Sequence, residues 1–155
     1  MPAIVFVCTG NTCRSPMAEV LFREQLRTHG LEEAAWTVES AGTWAPDGAP
    51  AARFGREVMA QRGLDLSHHR ARTVTRAMLE RFDLILVMEI NHKEALWAEF
   101  PELRPKIYLL SEMVHQKFSV ADPIAGKISD YQATALEIDA YLTRGWQRIL
   151  ELTRA

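Results

Sequence analysis

The sequence predicts an α/β fold, a four-stranded parallel sheet with helices on both faces, three layers in all. Two observations carry this. Short apolar runs such as Ile4–Val7 and Leu84–Met88 are rich in β-branched residues, as strands buried on both faces are. Segments with helical spacing alternate with those runs, the order that parallel strands and right-handed crossovers produce. The chain has 155 residues. At roughly 150 residues per domain, one domain spanning 1–155 is expected.

The elements follow in order. Ile4-Val5-Phe6-Val7 is the first strand, and the turn-like Thr9-Gly10-Asn11-Thr12 follows it. Ser15 and Pro16 fit the cap and first position of a helix, with Glu19 in its first turns. Met17, Val20, Leu21 and Leu26 form its apolar face, and Gly30 ends it. Trp36–Ser40 reads as the second strand, and the Gly/Pro-containing stretch Gly42–Pro50 as a loop. A helix is expected over Ala51–Gln61, ending at Gly63. Leu84–Met88 is the third strand, Asn91–Phe100 a helix closed by Pro101, and Lys106–Leu110 the fourth strand. Ser129 or Asp130 fits the cap of one long last helix, with an apolar stripe of Ala133, Leu136, Ile138, Tyr141, Leu142, Ile149 and Leu150.

Composition narrows the function classes. Lys and Arg number 18 against 20 Asp and Glu, a net charge of −2, so there is no footprint for nucleic acid or an anionic membrane. The apolar run Ala3–Cys8 is far shorter than the roughly 20 residues of a membrane span, and no signal peptide is recognisable. A soluble cytoplasmic protein with reduced thiols is expected. Two cysteines do not make a disulfide scaffold, and with histidines only at 29, 68, 69, 92 and 115 they form no metal pattern. No metal and no cofactor are expected.

The chemistry concentrates in Cys8-Thr9-Gly10-Asn11-Thr12-Cys13-Arg14-Ser15, which runs from a strand end through a tight loop into a helix start. In parallel sheets ligands bind at the carboxyl ends of strands. A loop of this kind can turn successive backbone N–H groups inward as an anion nest, and the helix start adds unpaired donors and a positive partial charge. Gly10 and Asn11 are residue types that tolerate left-handed backbone angles. Arg14 offers a planar fork for two phosphate oxygens. Cys8 stands at the mouth of the nest, where the field that binds phosphate also favours a thiolate. One loop can thus hold inorganic phosphate or a similar oxyanion, or aim a sulfur nucleophile at a phosphoryl group. Arg14 and the N–H groups would stabilise the charge without a metal.

Val7-Cys8-Thr9-Gly10-Asn11-Thr12-Cys13-Arg14-Ser15-Pro16-Met17-Ala18-Glu19 resembles the phosphate loop of the low-molecular-weight protein tyrosine phosphatases. Ser40–Thr43, His69-Arg70-Ala71-Arg72, Phe82–Met88 and Asp122-Pro123 resemble further segments of that family, in the family's order. The resemblance implies a flavodoxin-like, phosphotyrosine phosphatase I-like fold and a phosphorylated protein as substrate. It implies that Asp122 serves as acid and then as base, with Pro123 biasing Asp122 toward extended backbone. Asn11 and His69 are implied to hold the loop in shape, with His68 one residue away as the competing assignment, and Ser15 to stabilise the thiolate. For Cys13, packing and a reversible disulfide with Cys8 remain open, the latter suggested by family members with the same second cysteine.

Two departures bear on substrate. Asp122-Pro123-Ile124-Ala125-Gly126 lacks the aromatic pair that many members carry after Asp-Pro, which leaves Trp44 and Ile124 as candidate walls. Thr12 replaces the larger apolar residue usual at its loop position, and the loop string is similar to that of the bacterial protein-arginine phosphatase branch. Phosphotyrosine is therefore the first expectation and phosphoarginine the alternative. Arsenate reductases share the fold but relay a disulfide through later cysteines, which this chain lacks after Cys13. A non-catalytic phosphate-binding module would not need both Cys8 and Asp122, and a mononucleotide binder would explain neither Cys8 nor Arg14.

Overall fold

The structure, a computed structural model, describes residues 1–154. The first strand, β1 (Ala3–Cys8), is buried along its whole length. It pairs in parallel with β2 (Thr37–Gly42) on one side and β3 (Leu84–Val87) on the other, and β3 pairs with β4 (Ile107–Leu109), giving the order β2-β1-β3-β4. The period-2 alternation of side chains divides β1 between two cores. Ile4, Phe6 and Cys8 face one, and Ala3, Val5 and Val7 face the other.

Helices cover both faces. The first core is closed by α1 (Arg14–Thr28), α5 (Ile128–Arg144) and α6 (Trp146–Thr153), with α2 (Arg53–Gln61) packed on α5. Phe22 lies at its centre, with ring centroids 5.5 Å from both Trp36 and Trp146. The second core is closed by α3 (Arg76–Glu80) and α4 (Ile90–Glu99) through Met78, Leu79, Leu96 and Phe100. From β1 the chain crosses to β2 on one side and then to β3 on the other. The ends of β1 and β3 therefore flank a topological switch point, where such sheets open a crevice.

Several expectations are corrected. Ser15 does not cap α1, which starts at Arg14; its hydroxyl faces the loop interior instead. β2 begins at Thr37 rather than Trp36 and runs on to Gly42. The short helix α3 was not expected from the sequence, although Thr75 caps it by accepting the Met78 N–H at 3.1 Å. The last helix is two helices. At Gly145 a Cβ would meet Met113 Cβ at 2.5 Å and the Tyr141 carbonyl at 2.8 Å, so α5 gives way to α6 where the 3-10 segment Leu110–Val114 packs closely. Its first residue is Ile128, and Asp130 accepts the Lys127 N–H at 2.7 Å from within the first turn. The buried face of α5 is Tyr131, Thr134, Ala135, Ile138, Tyr141 and Leu142, while Ala133 is exposed and Leu136 is 62% exposed. Among the described residues no helix is long and apolar enough to cross a membrane.

Candidate active site

The loop between β1 and α1 is held by its neighbours on every side. Thr43 and Trp44 donate their backbone N–H groups to the carbonyls of Cys8 and Thr9 at 2.9 and 3.0 Å. Ala52 donates to the Thr12 carbonyl at 2.8 Å. Gly42, at the end of β2, lies so close that a Cβ there would strike the Thr9 carbonyl oxygen. Asn11 is fully buried and left-handed, with φ 54°. Its side chain donates to Ser15 Oγ at 2.8 Å and to Ser40 Oγ at 3.0 Å, and accepts the Arg72 N–H at 3.0 Å. Those bonds offset the cost of a left-handed non-glycine residue. Gly10 does not have the left-handed angles anticipated for it, and a Cβ there would make only ordinary contact.

His69 reaches the same loop, its Nε2 donating to the Asn11 carbonyl at 2.7 Å. The segment 69–74 runs beside the end of β2, tied to Gly42 by two backbone hydrogen bonds. His68 points away, with a side chain 95% exposed.

Among the described residues the backbone N–H groups of Thr9, Gly10, Asn11, Thr12 and Cys13 donate to no other protein group. A run of unpaired donors ending at a helix start is what an anion nest requires. Arg14 opens α1 and is 1% exposed. Its Nη1 donates to Glu89 Oε2 and to the Val120 carbonyl, both at 2.7 Å. Its Nε is buried without a partner among the described residues, and Nη2 has only Asp122 Oδ2 at 3.5 Å. One edge of the guanidinium is thus clamped, and the other, Nε with Nη2, is left for two oxygens of an incoming anion.

Cys8 ends β1 with its Sγ 3.0 Å from Ser15 Oγ. Asn11 already fills one lone pair of that hydroxyl, so the Ser15 proton goes to the sulfur or to the Ala41 carbonyl at 3.3 Å. Cys13 also faces inward. Burial raises its thiol pKa, and its Sγ lies 3.4 Å from Tyr131 Oη. Burial and the Cys13 contact push the Tyr131 pKa up as well. Both cysteines are free.

Asp122 comes from the irregular stretch before α5. Val120 anchors that stretch, donating to the Met88 carbonyl at 2.7 Å while its own carbonyl takes the Arg14 bond. Asp122 Oδ1 accepts the Ile124 N–H at 3.1 Å, which leaves Oδ2 toward the guanidinium. Asp122 and the loop line one cavity of about 260 Å³ with Cys8, Thr9, Gly10, Thr12, Cys13, Arg14, Trp44, Pro46 and Ile124. Trp44, 75% exposed, Pro46 and Ile124, 62% exposed, are apolar residues of that lining.

Sequence reasoning missed Glu89, His92, Ser40, Val120 and Pro46. Glu89 occupies the N-cap position of α4 while its carboxylate goes to Arg14, and His92 lies in that helix's first turn. His92 Nε2 is 2.7 Å from Thr9 Oγ1, and its Nδ1 accepts the Glu89 N–H at 3.1 Å. Burial first, and Arg14 second, push its pKa down to about 4, against the opposing pull of Glu89 and Asp122. The signal was available: both residues follow the carboxyl end of β3, one side of the switch point.

A nest of N–H donors, a half-clamped arginine, a cysteine sulfur and a carboxylate thus converge on one cavity, an arrangement suited to a tetrahedral oxyanion. Comparison with known proteins agrees. The profile of the family described as low molecular weight phosphotyrosine protein phosphatase matches residues 3–152. A probable low molecular weight protein-tyrosine-phosphatase, EpsP of Ralstonia nicotianae, is 38% identical over 146 residues, covering 91% of this chain and 94% of the relative. A protein-arginine-phosphatase of Bacillus subtilis is 36% identical over 140 residues, covering 90% of this chain and 91% of the relative. The crystal structure of a low molecular weight protein tyrosine phosphatase from T. tengcongensis superposes with a TM-score of 0.89 at 36% identity, covering 96% of this chain and 99% of that one. With this likeness running nearly end to end, the chain belongs to the low molecular weight phosphotyrosine protein phosphatase family.

Proposed function

We propose that the chain acts as one catalytic domain that hydrolyses phosphotyrosine on protein substrates through a phosphocysteine at Cys8. The observation that carries this is the half-clamped Arg14, whose free edge shares a cavity with Cys8 and the Asp122 carboxyl group. The phosphoryl group sits in the loop, with its charge on the Thr9–Cys13 N–H groups and the Nε/Nη2 edge. Cys8 sulfur attacks phosphorus as the bond to the leaving oxygen breaks, and Asp122 supplies the proton which that oxygen takes up. Asp122, now a carboxylate, takes a proton from water as the water oxygen attacks phosphorus. The S–P bond breaks, and phosphate and the Cys8 sulfur are released. Ser15 donates to the sulfur, and Asn11 and His69 keep the loop in shape. Arg14 and the N–H groups supply the charge stabilisation, so no metal is required.

The apolar lining residues Trp44, Pro46 and Ile124 suit an aryl ester, because apolar side chains, an indole among them, favour a ring over solvent. Phosphoarginine is the second reading. Thr12 and Asp122 both line the cavity, polar groups of a kind that suits a guanidinium, and a relative at 36% identity bears the name protein-arginine-phosphatase. Turnover of phosphotyrosine and phosphoarginine peptides by wild type and Thr12→Ile separates the two. Aryl preference unaltered by Thr12→Ile supports phosphotyrosine. Preference for phosphoarginine that Thr12→Ile abolishes replaces it with the second reading.

A further inference from the structure

His92 has no part in the scheme above, yet it is 2% exposed and hydrogen-bonded at both ring nitrogens. Nδ1 accepts the Glu89 N–H, so the single proton of the neutral ring lies on Nε2. Nε2 therefore donates to Thr9 Oγ1 at 2.7 Å. The depressed pKa keeps the ring in that neutral form throughout the near-neutral range. A protonated ring would turn Nδ1–H against the Glu89 N–H and add a cation beside Arg14.

The consequence falls on Thr9. Its hydroxyl has one proton and two lone pairs. With a lone pair occupied by His92, the proton is the group left to give, and Thr9 lines the same cavity as Cys8, Arg14 and Asp122. On the reading that the loop holds a phosphoryl ester, we propose that His92 is a positioning residue that fixes the Thr9 hydroxyl as a hydrogen-bond donor to the ester's oxygen atoms. Thr9 thereby adds a side-chain donor to the backbone nest, oriented from behind by a histidine that never meets the substrate.

The test is a double-mutant cycle on kcat/KM for p-nitrophenyl phosphate, with inorganic phosphate inhibition measured beside it. Thr9→Val and His92→Leu should each lower kcat/KM by about tenfold, the usual size of one hydrogen bond to a charged group. The double variant should lose no more than the worse single one, because both remove the same donor. His92→Gln, which retains a donor near the position of Nε2, should recover most of what His92→Leu loses. A purely packing role for His92 would not be rescued this way. Thr9 is exposed, so Thr9→Val keeps the test decisive if His92→Leu does not fold. Unchanged kcat/KM in Thr9→Val, or losses that multiply in the double variant, overturns the proposal. A wild-type protein that turns over no phosphate ester removes the reading of the loop itself, a result distinct from an active enzyme indifferent to Thr9→Val.

Discussion

Asp122 is the residue whose role is most exposed to experiment, because its two carboxylate oxygens have different partners. Oδ1 is tied to the Ile124 N–H and Oδ2 is left toward Arg14. An acid placed in this way matters most when the leaving oxygen is a poor leaving group. Asp122→Asn should slow an alkyl phosphate by roughly a hundredfold or more and an activated aryl phosphate by much less. A series of esters of graded leaving-group pKa measures this, and equal slowing throughout would contradict the acid role. The loop residues Cys8 to Ser15 were legible in the sequence because their chemistry is contiguous. Glu89 and Val120 were not, since folding alone brings them to Arg14 across 75 and 106 positions. Residue chemistry alone does not separate His68 from His69, and His69 was the choice only through the family resemblance. The choice is decided by the segment that binds along β2 and turns His69 toward the Asn11 carbonyl.

Among the elements, strands were easier to read than their joints. β1 and β3 show as unbroken apolar runs because both of their faces are buried. The break at Gly145 does not show, since helical periodicity continues across it and only the close approach of Met113 and the Tyr141 carbonyl requires a residue without a Cβ. Leu136 fits a helical apolar stripe yet faces solvent, because a single apolar residue on a helix surface carries little penalty. Two glycines make contrasting predictions. Gly42→Ala forces Thr9 away from β2 and should cost about 1–3 kcal/mol of stability together with a large loss of turnover. Gly145→Ala strains the α5–α6 joint by a similar amount, far from the loop, and should leave turnover per folded molecule unchanged. Chemical denaturation and active-site titration of both variants check the pair. Gly42→Ala with normal turnover would contradict the claim that the end of β2 shapes the loop.

For the molecule as a whole, the fold class followed from the alternation of strands and helices, and the site lies where a parallel sheet's switch point puts it. The buried histidine in that site also bears on global stability. In the folded protein His92 binds a proton only near pH 4, against an ordinary value of 6.5. Between those values the unfolded chain takes up a proton that the folded one refuses. Stability is therefore fully present above about pH 6.5 and declines as pH falls toward about 4, by a total on the order of 3 kcal/mol from this group. His92→Gln should flatten that part of the profile, seen as the difference between the two proteins in urea unfolding across the window. Parallel profiles would show that His92 titrates normally.

The central claim is that the phosphoryl group passes through Cys8. Rapid quenching of Asp122→Ala during turnover of an activated aryl phosphate, followed by peptide mass spectrometry, tests it directly. The expected result is one phosphoryl group per active molecule, on Cys8, and none in the same protein carrying Cys8→Ala. Full turnover by Cys8→Ala, or a phosphoryl group on another residue, would contradict it.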